Sequence, residues 1–407
     1  MQSAPKSFHL HIAIYGRCNV GKSSLMNLVT RQEVSIVAKE AGTTTDLVEK
    51  AIEFLPLGPV LFIDTAGIDD IGDLGKLRVA KTEKIFDRTD LAMLVTEANI
   101  WTEFEEKIFQ EFNKRKIPLL IVLNKTDIYP VDKNIVGRFG DKICIALSTK
   151  DPTALNLIRK TLLAIAPSEF FDNPIIIRDL LEPKDILIQV IPIDKEAAPK
   201  GRLLLPQVQT IRDALDGSVI SLVVRESELV EAFSSLKKLP KLVVTDSSAF
   251  HLVKDIVPKN VWLTSFSILY ARLKGDLISQ VAGALAIKQL APGDKVLIGE
   301  ACSHHPTLDD IGRVKIPRLL NKYAGGDLDT VITQGHDFPS DLKDYRLVIL
   351  CGSCIFNRRE VLNRILLCQE AGVPCTNYGL VIAFCLNILD RVLEPFPEAL
   401  REYEYSQ

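Results

Sequence analysis

Short apolar runs alternate with amphipathic stretches over about the first 165 residues of the chain. The runs are rich in aliphatic and β-branched residues, and each stops at polar or turn-forming residues: HLHIAIYG, VLFIDTAG, LAMLVTEA, PLLIVLNKTD and KICIALST. The stretches between them have the spacing of helices. This alternation predicts parallel strands joined by crossover helices, and therefore a doubly wound α/β domain.

The alternation returns twice after a proline-rich break. The segment APSEFFDNPIIIRDLLEPKD contains three prolines, and we interpret it as the linker that leaves the first domain. Two further groups of strand-like runs follow: ILIQVIPID, VISLVVRE, KLVVTD and VWLTSF, then KVLIGEACSHH, TVITQGHDFP and YRLVILCGSC. The chain is predicted to be an α/β protein of three domains, a doubly wound sheet over 1–170 and two smaller domains with parallel sheets over 171–268 and 269–407.

The second predicted domain, 171–268, carries no recognisable catalytic constellation. The outer strand of its predicted sheet would leave backbone N–H and C=O groups available for pairing with a second copy of the chain. On this basis we expect a homodimer, and a passive spacer domain is the alternative.

Composition and charge narrow the functional classes. A chain of 407 residues with 47% hydrophobic and 25% charged residues has enough apolar material for several cores. Its net charge of −3 provides no overall field that attracts nucleic acid or anionic lipid. The segment MQSAPKSFHL lacks the pattern of a secretory signal, and no apolar run reaches the roughly 18 residues of a membrane span. We therefore expect a cytosolic protein that binds neither nucleic acid nor membrane.

The segment GRCNVGKSS has the spacing of a phosphate-binding loop, the P-loop. It matches G-x4-G-K-S and lies between a predicted strand and a predicted helix, which is the setting that this motif requires. Gly16 and Gly21 allow the backbone to wrap closely around phosphates. Lys22 is expected to reach the β and γ phosphates, and Ser23 to bind Mg²⁺.

Two segments between the P-loop and the middle of this domain provide further polar groups. DTAG places Asp64 where it can hold Mg²⁺ through water and Gly67 where it can contact the γ phosphate. The hydroxyls of AGTTTD suit a switch loop, with Thr43 or Thr44 as the second Mg²⁺ ligand.

The segment NKTD selects the base. In GTPases the aspartate, here Asp127, accepts hydrogen bonds from the guanine N1 and N2 groups, Lys125 packs over the ring, and Asn124 ties this loop to the P-loop. LSTK, at 147–150, fits the last loop that contacts guanine. The four segments occur in the order and spacing of a GTP-binding site.

This domain resembles the translation-factor-like GTPases that include Era and the tRNA-modification GTPases, over about residues 8–165. Ile68 follows DTAG where Ras-like proteins have the glutamine that orients the attacking water, so hydrolysis must depend on another group. The resemblance implies one, because Asn19 occupies the P-loop position that helps to coordinate a monovalent cation in potassium-activated members. We expect slow hydrolysis stimulated by K⁺, with Lys22, Asn19 and Thr44 as catalytic residues. The predicted nucleotide-binding residues are Gly16, Asn19, Val20, Gly21, Lys22, Ser23, Ser24, Thr43, Thr44, Asp64, Gly67, Asn124, Lys125, Asp127, Ser148, Thr149 and Lys150.

Three cysteines lie in two distant loops, each after an apolar strand. Cys351 and Cys354 form C-x2-C after RLVIL, and Cys302 is followed two residues later by His304. Loops beyond the carboxyl ends of parallel strands gather at one edge of a sheet, so these loops can meet. Three thiolates and an imidazole could hold a tetrahedral Zn²⁺, and three thiolates with a labile fourth position would suit an iron–sulfur cluster equally well.

The other cysteines and histidines have simpler interpretations. His305 is a neighbouring loop residue, and His336 is a more distant candidate ligand. The rest lie in apolar or loop contexts, the cysteines singly, and are expected to be structural: Cys18, Cys144, Cys368, Cys375, Cys385, His9, His11 and His251.

The whole chain resembles the [FeFe]-hydrogenase maturation GTPases, the HydF family. The resemblance is carried by the GTPase segments, the second α/β unit, and then CSHHPTLDDIGRVKIPRLL, CGSC, NRRE and VPCTNYGL. It implies a GTPase domain, a dimerisation domain and a cluster-binding domain, in that order along the chain.

The family's metal motif is C-x-H, a long gap and H-C-x2-C. Cys302, His304, Cys351 and Cys354 match it, but Leu350 stands where the family has a histidine before the C-x2-C. The resemblance therefore implies a [4Fe-4S] cluster on three cysteines with an undecided fourth ligand. The candidates for that ligand are His304, Glu300 and Asp194.

Together, the sequence motifs and the family resemblance predict a dimeric GTPase that uses GTP, Mg²⁺, K⁺ and a [4Fe-4S] cluster. By resemblance it is a scaffold and carrier for the di-iron subcluster of the hydrogenase active site, and its partners are radical-SAM maturases and the apo-hydrogenase. The alternative is an RNA- or ribosome-associated GTPase with a structural zinc site, although the C-terminal segments HHPTLDD, GGDLDT and DFPSDLKD are acidic. A GTP-regulated enzyme with a catalytic cysteine would leave the paired cysteines unexplained.

Overall fold

The computed structural model describes residues 5–30, 48–65, 84–171, 174–193, 203–301, 310–339 and 341–406. The chain forms two compact units, Met1–Asn173 and Pro174–Gln407. Among the described residues, no helix is both long enough and apolar enough to cross a bilayer.

The N-terminal unit is built on a sheet with the strand order β2-β3-β1-β4-β5-β6. Its strands are β1 Leu10–Tyr15, β2 Val48–Glu53, β3 Pro59–Asp64, β4 Leu91–Glu97, β5 Leu119–Asn124 and β6 Cys144–Ala146. Its helices include α1 Lys22–Thr30, α2 Glu103–Lys114, α3 Lys133–Phe139 and α4 Ala154–Ile165. All described pairings are parallel except that of β2 with β3. The antiparallel edge strand β2 was not predicted, because VEKAIE is mostly polar and half-exposed.

Both faces of this sheet are covered, which explains the uninterrupted apolar runs of its central strands. On one face of β1, Leu10, Ile12 and Ile14 pack with the apolar side of α1. On the other face, Tyr15 stacks on Phe86 at 4.8 Å between ring centroids. The sheet therefore holds the ends of its strands rigidly in place.

The C-terminal unit contains two four-stranded sheets, in both of which all described pairings are parallel. The first has the order β10-β9-β7-β8 and the second β12-β11-β13-β14. The strands are β7 Ile186–Val190, β8 Ile220–Val224, β9 Leu242–Thr245, β10 Trp262–Ser265, β11 Lys295–Glu300, β12 Asp329–Gln334, β13 Leu347–Leu350 and β14 Cys375–Asn377. The predicted α/β class and the predicted parallel sheets are confirmed.

The helices of this unit lie in the connections between strands and after the last strand. They are α5 Leu205–Asp216, α6 Leu229–Ser235, α7 Phe250–Val253, α8 Phe266–Lys274, α9 Leu277–Leu285, α10 Ile316–Ala324, α11 Arg358–Ala371, α12 Tyr378–Cys385, α13 Leu389–Leu393 and α14 Pro397–Tyr405. Helix α9 ends at Leu285 and continues as a 3₁₀ turn, Ala286–Gln289. Strand β14 was not predicted, because CTN is only three residues long.

Helices α8 and α9 join the two sheets of the C-terminal unit. Helix α8 begins directly after β10, and α9 packs against β14 of the other sheet. A Cβ at Gly283 of α9 would lie 2.0 Å from the carbonyl oxygen of Cys375. Only glycine permits this close approach of helix and strand.

The entry into the C-terminal unit is fixed by one carboxylate. Asp213 of α5 is 4% exposed, and its Oδ2 accepts hydrogen bonds from the backbone N–H groups of Ile176, Ile177 and Arg178 at 2.9, 2.7 and 3.0 Å. Three backbone donors, two of them on buried residues, thus depend on one side chain for their acceptor.

The Asp213→Ala substitution is expected to destabilise the C-terminal unit by about 3 kcal/mol or more, because a buried N–H left without an acceptor costs roughly 1–3 kcal/mol. Urea unfolding can be followed by the fluorescence of Trp262 in a Trp101→Phe background, which confines the signal to this unit. The matched control is Asp216→Ala on the same helix, which removes only an exposed ion pair with Arg212 and should change stability by under ~0.5 kcal/mol. Equal stabilities of the two variants would contradict this assignment.

Candidate functional sites

The P-loop connects the end of β1 to the start of α1. Gly16 and Gly21 have φ values of 152° and 101°, and Asn19, exposed at the tip, has φ 62°. The Nζ of Lys22 donates hydrogen bonds to the carbonyl oxygens of Gly16 and Arg17 at 2.9 and 2.8 Å. The lysine thus lies over its own loop, on the side where phosphates would bind. Val20 is buried, and Ser24 is exposed at the first turn of α1.

Two oxygen ligands suitable for Mg²⁺ lie side by side next to this loop. The hydroxyl of Ser23 donates to Oδ2 of Asp64 at 2.7 Å. Oδ1 of Asp64 is buried and has no hydrogen-bond partner among the described residues. Burial raises the pKa of Asp64, while the Ser23 hydrogen bond acts in the opposite direction. An oxygen pair with one unsatisfied atom fits a hard divalent cation. Thr43, Thr44, Gly67 and Ile68 lie outside the described residues.

The base-selecting segment follows β5 and meets the loop after β6. Asp127 accepts hydrogen bonds from the hydroxyl of Ser148 and the Nζ of Lys150, both at 2.8 Å. The hydrogen bond from Lys150, followed by that from Ser148, lowers the pKa of Asp127. Because the side chain of Lys150 is 76% exposed, its ion pair adds little stability and a base can displace it.

Asn124 connects the base-selecting segment to the P-loop. Its Nδ2 donates to the carbonyl oxygen of Val20 at 2.8 Å, and its Oδ1 accepts from the N–H of Thr149 at 3.1 Å. A Cβ at Gly21 would lie 2.3 Å from Nδ2 of Asn124. One buried amide therefore fixes the distance between the phosphate and base subsites.

Two carboxylates that the motifs do not include hold this site together. Glu97 at the end of β4 binds the Nζ of Lys125 at 2.6 Å. Glu105, which is fully buried, binds Nε of Arg17 at 2.7 Å and also accepts from the N–H of Thr102. Thr102 and Glu105 form the capping box of α2, so T-x-x-E in TEFE was a readable signal for a helix start. The sequence contained no signal that Arg17 would bind there.

The loop that carries C-x2-C leaves the sheet at the end of β13. The N–H of Cys351 donates to the carbonyl oxygen of Gly299 at 3.1 Å, and its Sγ accepts from the N–H groups of Ala301 and Ser353 at 3.1 and 3.4 Å. Cys351 and Cys354 are partly exposed. Burial, and secondarily Cys351, raises the pKa of the Cys354 thiol.

Backbone N–H groups directed at a cysteine sulfur are typical of iron–sulfur and zinc ligation. Ala301, which donates one of them, immediately precedes Cys302. Cys302, His304, His305 and Asp194 lie outside the described residues. Among the described residues, no group of three or more Cys, His, Asp or Glu side chains is placed to hold a single metal ion. The part of the donor set that is described fits a metal or cluster ligated by thiolates.

Leu350 and Glu300 are both engaged in contacts other than metal ligation. Leu350 is 1% exposed and packs in the apolar core beside β11. Glu300 is 2% exposed, and its carboxylate binds Arg313 at 3.2 Å and Tyr378 at 3.4 Å. His336 lies after β12, where its Nδ1 contacts Glu360 at 2.8 Å.

A buried lysine lies directly beneath the C-x2-C loop. Lys274, the last residue of α8, is 2% exposed, and its Nζ donates to the carbonyl oxygens of Ser353, Cys354 and Phe356 at 3.1, 3.0 and 2.7 Å. Burial lowers the pKa of Lys274 to about 8, although Cys354 and Cys351 act in the opposite direction. The sequence did not single out this lysine.

The remaining cysteines and histidines, apart from Cys18 of the P-loop, lie away from both sites. Cys144, Cys368 and Cys375 are buried, Cys385 is half-buried and Cys18 is exposed in the P-loop. Cys368 and Cys375 are not isolated in space, because their side chains are in contact, and this contact and burial raise the pKa of Cys375. His9 and His11 are buried, whereas His251 is exposed. Burial lowers the pKa of His11 to about 4.

Three sequence models of known families match successive parts of the chain. Residues 11–125 match a model described as 50S ribosome-binding GTPase. Residues 176–275 match the hydrogen maturase F dimerization domain, and residues 279–395 match the hydrogen maturase F tetramerization domain.

Individual relatives and solved structures match mainly the N-terminal unit. GTPase Der of Nitratiruptor sp. is 41% identical over 127 residues, which are 30% of this chain and 27% of that protein. The tRNA modification GTPase MnmE of Prochlorococcus marinus (strain NATL1A) is 42% identical over 121 residues, 29% of this chain and 26% of that protein. The chain thus spans about a quarter of the length of these relatives.

Two solved structures are similar at low identity. The G domain of the T. maritima FeoB iron transporter has a TM-score of 0.30 at 18% identity and covers 40% of this chain and 99% of its own. An Aquifex aeolicus Era variant bound to GDP and AlF4⁻ has a TM-score of 0.33 at 21% identity and covers 60% and 97%.

The matches agree with the order of parts along the chain. The N-terminal unit is a P-loop GTPase domain of the type found in Der and MnmE. The two hydrogen maturase F models follow it, and together they span more than half of the sequence. The chain therefore belongs to the hydrogen maturase F family.

Proposed function

We propose that this protein is a GTP-hydrolysing scaffold and carrier that binds a [4Fe-4S] cluster and assembles or transfers the di-iron subcluster of the [FeFe]-hydrogenase active site. The observation that carries the proposal is the Cys351 sulfur, which accepts two backbone N–H hydrogen bonds. This thiol lies within the part of the chain that matches the hydrogen maturase F tetramerization domain.

The proposed cluster ligands are Cys302, Cys351 and Cys354. The N–H of Ala301 bonds to the sulfur of Cys351 at 3.1 Å, which supports a meeting of the two loops, since Cys302 is the next residue. Three cysteines leave one iron with an exchangeable ligand, which is the property that a scaffold requires. His304 is the proposed occupant of that position, because Leu350 and Glu300 are engaged in the core and in hydrogen bonds.

The nucleotide site is proposed to act as a switch. Lys22 and Asn19 would contact phosphates, Ser23 and Asp64 would hold Mg²⁺ with Thr44, and Asp127 would select guanine. Binding of GTP would draw Lys22 and Lys150 away from their present partners, the P-loop carbonyls and Asp127. Loops around the γ phosphate would relax after hydrolysis and alter contacts with partner proteins.

Three functional parts are proposed along the chain, a GTPase domain over 1–170, a dimerisation domain over 171–268 and a cluster-binding domain over 269–407. The partners proposed from the family are radical-SAM hydrogenase maturases and the apo-[FeFe]-hydrogenase. The protein itself is proposed to form cytoplasmic homodimers, which the matched tetramerization domain could assemble further.

Anaerobic reconstitution with iron and sulfide tests the cluster. The parent protein is expected to gain the visible absorption and, after reduction, the EPR signal of a [4Fe-4S] cluster. Cys302→Ser and Cys351→Ser should lose most of the bound iron and sulfide, because each removes a thiolate ligand. Cys385→Ser, which replaces a half-buried cysteine outside the motif, should retain the parent content. A colourless parent that binds stoichiometric Zn²⁺ would exclude the cluster.

Initial rates of GTP hydrolysis in K⁺ and in Na⁺ test the cation. The parent is expected to be at least about 10-fold faster in K⁺, because one preorganised charge at a transition state is worth roughly 10²–10³ in rate. Asn19→Gly should abolish this ratio, and glycine tolerates the positive φ of position 19 where alanine would be strained. Cys18→Ala, the adjacent exposed residue, is the control. Equal parent rates in both salts would refute the role of K⁺.

Light scattering after gel filtration tests the dimer. Strand β8 is an outer strand, and the neighbouring helix α5 exposes Val208 and Leu215 by 43% and 60%. The double substitution Val208→Glu and Leu215→Glu should weaken association at least 10-fold, because it puts charges on an apolar face that a partner would cover. Leu157→Glu, a similarly exposed residue of α4, should leave the dimer unchanged. An unaltered mass of the double variant would place the interface elsewhere.

A further inference from the structure

The ammonium group of Lys274 is surrounded by the carbonyl oxygens of the C-x2-C loop. It donates three hydrogen bonds, of 3.1, 3.0 and 2.7 Å, to Ser353, Cys354 and Phe356. An ammonium group has three protons, so this set matches its donor capacity. Hydrogen bonds from a charged donor are roughly twice as strong as neutral ones. The backbone around Cys354 is therefore held by one side chain.

The loop has a backbone conformation that needs such support. Ser353 has φ 48°. This is a left-handed backbone conformation, which residues other than glycine, asparagine and aspartate adopt at an energetic cost. Ser353 is also 6% exposed, so water cannot satisfy its backbone groups easily. Its N–H donates to the sulfur of Cys351 and its carbonyl oxygen accepts from Lys274. The lysine thus acts on the same residue that donates to the ligand sulfur.

Lys274 reaches the loop from outside the loop's own sheet. It ends α8, which follows β10 of the first sheet, and it lies within the segment that matches the dimerization domain. The loop lies within the segment that matches the tetramerization domain. A second contact reinforces this junction, because Nε of Arg358 donates to the carbonyl oxygen of Leu273 at 3.2 Å.

The space between the lysine and the loop is small and is lined by both polar and apolar side chains. A cavity of ≈ 10 Å³ is lined by Lys274, Cys351 and Gln280, and also by Tyr270. The Tyr270 hydroxyl and Oε1 of Gln280 are buried without hydrogen-bond partners among the described residues. Such a space admits about one water molecule, which leaves the positive charge of Lys274 close to the ligand thiols and poorly screened.

We propose that Lys274 is a positioning residue through which the dimerisation domain holds the cluster-ligand loop and places a positive charge beside its thiolates. The proposal rests on the proposed function of Cys351 and Cys354 as cluster ligands. The hydrogen bonds fix where the two sulfurs lie. The charge stabilises the more negative, reduced state of a bound cluster, because the potential of an iron–sulfur cluster depends on nearby charge and hydrogen bonds.

Backbone amide exchange in the metal-free protein tests the positioning. In Lys274→Met, the peptide spanning 350–357 should exchange at least about 10-fold faster, because the closed loop loses three hydrogen bonds from a charged donor. The 186–190 peptide of β7 should exchange as in the parent, which shows that the unit remains folded. Lys288→Met, an exposed lysine, is the matched control. Parent-like exchange of the 350–357 peptide in Lys274→Met would overturn the proposal.

Lys274→Gln separates hydrogen bonding from charge, and it also decides the case if Lys274→Met does not fold. It retains two donors, so its loop should exchange more slowly than that of the Met variant. Potentiometric EPR titration of the reconstituted proteins should give a more negative midpoint potential for both variants. Parent-like potentials in both would refute the electrostatic part. A parent that binds no cluster would refute the proposed function, while amide exchange would still decide whether Lys274 holds the loop.

Discussion

Parallel strand pairing is the constraint on which both candidate sites depend. It brings the carboxyl ends of neighbouring strands to one edge of each sheet, where the chain must turn into loops. In the N-terminal sheet the P-loop follows β1, Asp64 is the last residue of β3, and the base-selecting segment begins at the end of β5. In the last sheet, Ala301 and Cys351 follow β11 and β13, which pair in register from Val296 with Leu347 to Gly299 with Leu350. The candidate nucleotide site and the cysteine loop thus both lie at the carboxyl ends of parallel strands.

The protein's own side chains occupy the polar positions of the nucleotide site. Lys22 bonds to P-loop carbonyls, and Lys150 bonds to Asp127. The Lys150 contact is exposed, so binding can exchange it at small cost, and the Lys22 contacts lie within the P-loop itself. Asn124 is different, because it is fully buried and bridges two loops. The site therefore combines a fixed frame with contacts that a ligand can replace, which is the arrangement a switch needs.

The features that depend on the local spacing of residues were predicted from the sequence. Buried strands are continuous apolar runs and the GTPase motifs are short, so both were readable. Strand β2 was missed because Glu49 and Lys50 make it look like a loop. Contacts between distant residues left no pattern, since Arg17 and Glu105 are 88 positions apart and Lys274 lies 79 to 82 positions from the carbonyls it binds. The contact of Cys368 with Cys375 was hidden because the end of α11 and a turn lie between them in the sequence.

The departure at Leu350 and the presence of Lys274 bear on the same problem. A leucine there removes an imidazole from the sequence motif, and its packing in the core leaves that position without a polar atom near the loop. The loop must then be ordered by other groups before any cluster is bound. Lys274 and the N–H groups of Ala301 and Ser353 provide that order. Because these groups belong to the protein and not to a ligand, they would leave the fourth position of the proposed cluster open for exchange, as the proposed carrier role requires.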